Sequence, residues 1–163
     1  MTTRLGLLAL LVAAPAVSAQ EIGLAVGGQA PAVTLPDLDG KPVDLGRYVG
    51  KGPVVLEFWA TWCPLCKALE PSLNAAHARY RDRVQFFAIA VAVNQSPRSI
   101  ARHLAQHPLP FPVLYDADGA AVRAYQAPTT SYIVVLDKAG KVVYTGAGED
   151  QDIAVVLETL AGK

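Results

Sequence analysis

Val54-Val55-Leu56-Glu57-Phe58-Trp59 leads through Ala60-Thr61-Trp62 into Cys63-Pro64-Leu65-Cys66-Lys67. The run from Val54 to Trp59 reads as a buried strand interrupted by one acid. Residues 64 to 80 carry Leu69, Leu73, Ala76 and Tyr80 on one helical face, so a helix follows the strand almost at once. Cys63 then stands at the N-terminus of that helix. The free backbone N–H groups and the helix dipole there favour a thiolate, lowering the thiol pKa from about 8.5 toward neutrality or below. The thiolate is the nucleophilic form. Cys66 falls on the next turn, close enough to close a disulfide with Cys63. A Cys-x-x-Cys pair that opens a helix after a buried strand in an α/β pattern points to thiol–disulfide redox chemistry.

Three blander uses of the pair compete with that one. A structural disulfide fits the spacing, but so tight a loop adds little stability on the entropic account. Covalent haem attachment needs His directly after the second cysteine, where this chain has Lys67. Zinc needs further ligands. His103 and His107 have ligand spacing, yet they lie far past the usual finger interval of about 12 to 15 residues. They are expected to face solvent on their own helix.

Around this centre the chain alternates strands and helices. Ala30 to Leu45 reads as a hairpin, with Asp39-Gly40 supplying the positive φ of its turn. Val84 to Val93 is a near-continuous apolar run, as expected of a central strand covered on both faces. Phe58, Trp59, Phe86 and Phe87 are assigned to the core. Ser96-Pro97 gives an N-cap and a first-turn proline for a helix to about His107. A short strand at Phe111 to Tyr115 and a short helix at Gly119 to Tyr125 come next. Ser131 to Asp137 and Lys141 to Thr145 form a closing pair of strands. Asp150 to Leu160 is the last helix, with Glu149, Asp150 and Asp152 at its positive end. Lys67 and Glu70 read as surface residues. The fold class is α/β, a central mixed sheet flanked by helices with an added N-terminal β-hairpin.

Of the 163 residues, 52% are hydrophobic and 17% charged, which excludes a disordered chain and suits a single domain. Two cysteines are too few for a disulfide-stapled scaffold. Lys plus Arg and Asp plus Glu each number 14, so nothing points to nucleic acid or an anionic membrane held by charge. Residues 1 to 19 read as a secretory leader. Arg4 precedes an uncharged run, Leu5 to Val17, and Val17-Ser18-Ala19 sets small residues before Gln20. The run is shorter than the roughly 20 residues that span a bilayer. Left uncleaved, it would serve as an N-terminal membrane anchor. Residues 20 to 163 are the expected folded domain, placed outside the cytoplasm, periplasmic or secreted, where disulfides persist.

Glu57 to Lys67 resembles the active-site strand and loop of thioredoxins. Pro71 matches the proline that kinks their active-site helix, although a proline there breaks one backbone hydrogen bond. Ala127-Pro128-Thr129-Thr130, followed by the strand from Ser131, resembles the family's cis-proline segment. The added hairpin, the Ser96–His107 insertion and the leader point to the extracytoplasmic TlpA/ResA type, and the resemblance covers residues 30 to 160. It implies a thioredoxin fold and an enzyme. Cys63 would attack a client disulfide and Cys66 would resolve the mixed disulfide. Trp62 and Pro64 would rim the site, and Pro128 would shape the groove. Ala127 and Thr129 would offer backbone groups to the client chain. Glu57 occupies the position of a buried acid, whose raised pKa suits deprotonation of Cys66. Thioredoxins pair that acid with a lysine on the next strand, but Val84 to Val93 has no charge.

The resemblance implies a disulfide reductant of the cell envelope. Its clients would be proteins with cysteine pairs, such as apocytochromes awaiting haem or copper-handling proteins. A membrane thiol–disulfide electron donor would return the protein to its reduced state. The implied cofactor list is empty, with the redox centre being Cys63–Cys66, no metal site, and a monomer expected. An oxidant or isomerase would use the same cysteines. A copper(I) carrier binding through both thiolates is the reading from another class. A peroxidase is weakened because Thr61 stands two residues before Cys63 and Ala60 three before, where peroxiredoxins place Thr.

Overall fold

The computed structural model describes residues 23–161; the leader and its cleavage point fall outside them. The expected hairpin is present as strands β1 (Thr34–Pro36) and β2 (Pro42–Asp44), paired antiparallel with Leu35 opposite Val43. Gly40 takes φ 84°, and Asp37 Oδ1 accepts the N–H groups of Asp39 and Lys41 at 3.0 and 2.9 Å, which closes the turn.

The main sheet has five strands. These are β3 (Val54–Trp59), β4 (Gln85–Val91), β5 (Val113–Asp116), β6 (Tyr132–Leu136) and β7 (Val142–Ala147), in the order β5-β4-β3-β6-β7. β3, β4 and β5 run parallel. β6 is antiparallel to β3, and β7 to β6. Every residue of β3 and β6 is buried, which explains why both read as unbroken apolar runs apart from Glu57. The helices are α1 (Pro64–Tyr80), α2 (Pro97–Leu104), α3 (Ala120–Ala124) and α4 (Ile153–Ala161).

α1 buries Cys66, Leu69, Leu73, Ala76 and Tyr80, the face that its periodicity marks. It continues through Pro71, as the sequence anticipates. α1 and α4 also meet at an exposed ion pair, Arg79 Nη2 to Glu158 Oε1 at 3.0 Å. α2 starts as expected, with Ser96 and Ser99 in a reciprocal capping box and Pro97 in the first turn. It ends at Leu104 instead of His107. Turn-type bonds persist through His107 N–H to His103 O, but Pro108 biases the preceding residue away from the helical region.

The strand arrangement sets up the site. The C-terminal end of β3 leads to Cys63. The antiparallel β6 starts at that same end, so the segment just before Tyr132 is delivered beside the cysteine loop.

Candidate active site

After Trp59 the chain turns. Cys63 N–H bonds to Ala60 O at 3.1 Å, and Cys63 becomes the N-cap of α1, with Pro64 in the first turn. Pro in the first helical turn forfeits a donor that has no intrahelical partner anyway. The Cys63 sulfur accepts the Cys66 N–H at 3.0 Å, one of the orphan donors of the helix start. The two cysteines form a disulfide, with Cα atoms 5.3 Å apart. Cys63 is 5% exposed and Cys66 2%. Both are buried, but Cys63 lines the neighbouring cleft and Cys66 does not, which suits Cys63 as nucleophile and Cys66 as resolver. On reduction, the amide and helix dipole that face Cys63 would stabilise its thiolate.

The loop after β4 holds the approach to Cys63. Gln95 Oε1 accepts Thr61 N–H at 3.0 Å, and Val93 O accepts the Trp62 indole N–H at 2.8 Å. Trp62 stays 47% exposed, with Leu65 and Val93 also exposed nearby in sequence and structure, which leaves an apolar rim at this end. Pro64 is exposed as well.

Glu57 lies in β3 between Ala88 and Ile133 on the neighbouring strands, 2% exposed. Its Oε1 has no hydrogen-bond partner. Burial, reinforced by the charge of Glu70, pushes its pKa up to about 8.

Beside Cys63 opens a cleft of about 260 Å3, whose walls include Trp59, Trp62, Lys67, Glu70, His103 and His107. Two expectations change here. Glu70 is half-buried in this wall and does not point freely to solvent. His103 is also half-buried, its ring 5.8 Å from Trp59 and 4.9 Å from His107. The helix that carries it packs back over the end of β3, so residues far past Cys66 in sequence reach the cysteine cleft. Burial and the neighbouring His107 hold His103 below the usual histidine range. Glu70 opposes that shift and Lys67 adds to it.

Ala127, Pro128 and Thr129 lie outside the lining of this cleft. The resemblance implies a cis bond before Pro128, but every peptide bond among the described residues is trans. Pro128 and Thr129 are exposed. The close approach to β3 is made a little later, by Ser131. Its φ is 60°, its N–H bonds to Phe58 O at 2.7 Å, and its hydroxyl donates to Gly148 O at 2.8 Å. A serine with positive φ gives no sequence signal, so Ser131 was not legible beforehand. Neither was Gln95. A larger cavity, about 350 Å3 beside Tyr80, Val143 and Leu157, lies at the opposite end of the sheet and touches neither cysteine.

An N-capping cysteine, its partner one turn on and a buried acid in the preceding strand define a thiol–disulfide oxidoreductase on a thioredoxin fold. Residues 25–160 match the Redoxin family model. The thiol-disulfide oxidoreductase ResA of Geobacillus thermodenitrificans is 32% identical over 144 residues, 86% of this chain and 81% of that protein. ResA of Bacillus thuringiensis is 31% identical over 131 residues, 80% of this chain and 74% of that one. Among solved structures, a secreted Mycobacterium tuberculosis disulfide oxidoreductase homologous to E. coli DsbE is 30% identical. It superposes with a TM-score of 0.68, covering 78% of this chain and 96% of that one. The chain belongs to the Redoxin family, in the thioredoxin superfamily, and is of the TlpA/ResA type.

Proposed function

We propose that this protein is a reductant of disulfides in client proteins outside the cytoplasm, exported by residues 1–19. The observation that carries the reading is the placement of Cys63 in the cleft wall, nearly one helical turn ahead of Cys66 and with the buried Glu57 in the preceding strand. Reduced Cys63, as thiolate, attacks one sulfur of a client disulfide. A Cys63–client bond forms, and the other client sulfur leaves with the electron pair and takes up a proton. Cys66 then loses its proton to the Glu57 carboxylate and attacks Cys63. The second client sulfur leaves with the Cys63–client bonding pair and takes up a proton, and the Cys63–Cys66 disulfide remains. Two electrons and two protons have passed to the client.

Trp62, Pro64 and Val93 form the rim on which the client rests. Ala127, Pro128 and Thr129, delivered to this end by β6, offer an edge along which a client segment lies extended. A membrane thiol–disulfide donor restores the dithiol. The clients are cysteine-pair proteins of cytochrome c maturation or copper handling, and the protein acts as a monomer without a metal or other cofactor. The reading is supported by the secreted state of the Mycobacterium tuberculosis relative. Its test is the reduction potential of Cys63–Cys66 in thiol–disulfide buffers. A value near that of thioredoxin, about −270 mV, is expected; a value near that of DsbA, about −120 mV, makes the protein an oxidant and overturns the reading.

A further inference from the structure

The mechanism above leaves a proton unassigned. Glu57 is buried behind the cysteines, where it serves Cys66. It offers no route to the client's leaving sulfur, which departs on the cleft side of Cys63. An alkyl thiolate leaves more slowly than a more acidic thiolate, and a positioned acid that protonates it as it departs speeds the step. The cleft wall that faces this event carries four titratable groups. Lys67 and Glu70 come from α1, His103 from α2, and His107 from the turn that follows α2. From β3, the ring of Trp59 also packs against His103, with ring centroids 5.8 Å apart. Lys67 is exposed on the surface of α1. Glu70 is tied electrostatically to Glu57 behind it. His107 is exposed to solvent, whereas His103 is half-buried and fixed between Trp59 and His107.

Resting on the reductant reading, we propose that His103 is a catalytic residue of the cleft: it takes the proton that Cys63 gives up and hands it to the client's leaving sulfur. Neutral His103 and the Cys63 thiol become imidazolium and thiolate. The thiolate attacks the client, the client S–S bond breaks, and the departing sulfur takes both the electron pair and the imidazolium proton. His103 ends neutral, so no outside acid or base is consumed. Burial and its cationic neighbours keep the imidazole neutral at rest, ready to accept. Glu70 in the same wall stabilises the transient imidazolium.

The leaving group provides the test. The reduced full-length protein is reacted with two small disulfides, oxidised glutathione and 5,5′-dithiobis(2-nitrobenzoate). The first releases an alkyl thiolate, whose departure a proton speeds; the second releases a more acidic aryl thiolate that leaves readily without one. In His103→Gln, the ratio of the glutathione rate to the aryl rate falls at least tenfold. In His103→Ala, which opens the wall to solvent, imidazole in the buffer restores that ratio. A merely structural effect slows both reactions alike, so an unchanged ratio in the two variants overturns the proposal. The aryl rate also reports whether each variant is folded. Failure of the wild-type protein to react with either disulfide overturns the reductant reading itself, and this assignment with it.

Discussion

Glu57 is an acid with no cation to answer it. The parallel neighbour β4 supplies Ala88 at its register position and the antiparallel neighbour β6 supplies Ile133. A carboxylate there would be buried and unpaired, so the protonated form is favoured up to about pH 8. A carboxyl raised that far is a stronger base than an ordinary glutamate, which suits it to accept a thiol proton. The same shift has a consequence for folding. Between the ordinary glutamate value of 4.5 and about 8, the folded protein holds a proton that the unfolded chain has released. Stability therefore falls as pH rises through this window, by an amount on the order of 3–5 kcal/mol in full. Glu57→Gln cannot ionise. Urea unfolding measured from pH 5 to pH 9 is expected to lose most of its downward slope in this variant. Resolution of the mixed disulfide, followed by rapid quench at pH 8, is expected to slow by tenfold or more. A variant that kept the wild-type slope would mean that Glu57 titrates as an ordinary acid.

At the scale of elements, a small polar hub ties the start of β6 to the helices. Gln151 is 6% exposed. Its Nε2 donates to Ser131 O and Gly148 O, its Oε1 accepts the Tyr144 hydroxyl, and its backbone O accepts the Ser72 hydroxyl of α1 at 2.9 Å. The hub thus joins the helix that carries both cysteines to the segment that approaches β3 opposite them. Gln151→Ala removes three side-chain bonds in a buried setting and is expected to cost about 1–3 kcal/mol, read as a lower urea midpoint at unchanged slope. The elements themselves were largely legible. Val54–Trp59 and Pro64–Tyr80 follow from one apolar run and one helical face, and their bounds agree with the structure. The hairpin followed from Asp39-Gly40. The structure adds that Asp37-Leu38-Asp39-Gly40-Lys41 and Asp137-Lys138-Ala139-Gly140-Lys141 use the same device. In each, the aspartate Oδ1 receives the backbone N–H groups on either side of a positive-φ glycine. The missing lysine opposite Glu57 was also legible, since Val84 to Val93 has no charge. The cleft was not. His103 and Glu70 read as solvent-facing because local periodicity says nothing of which helix returns over the end of β3. The bond geometry at Pro128 was not legible in the sequence, and neither was the contact with Phe58 O, which is made by Ser131 at a positive φ that no residue preference announces.

Over the whole molecule, the parallel strands β3 and β4 and the antiparallel β6 bring three loops to one end of the sheet. One is the cysteine loop. Another, after β4, clamps Thr61 and Trp62 through Gln95 and Val93. The last precedes β6 and is fixed through Ser131. Ligand sites at the carboxyl ends of parallel strands are a general property of α/β sheets. Here that end presents one cysteine that lines the cleft, one that does not and one buried acid, and the proposed roles of the two cysteines are unequal. That inequality is tested by incubating the reduced full-length Cys66→Ser and Cys63→Ser variants with a peptide disulfide and weighing the products intact. Cys66→Ser is expected to accumulate a stable adduct of one peptide chain on Cys63, because the attack proceeds and the resolution cannot. Cys63→Ser is expected to remain largely unmodified over the same time. Adduct formation on Cys66 at a comparable rate, or none on Cys63, would contradict the assignment of Cys63 as the attacking sulfur.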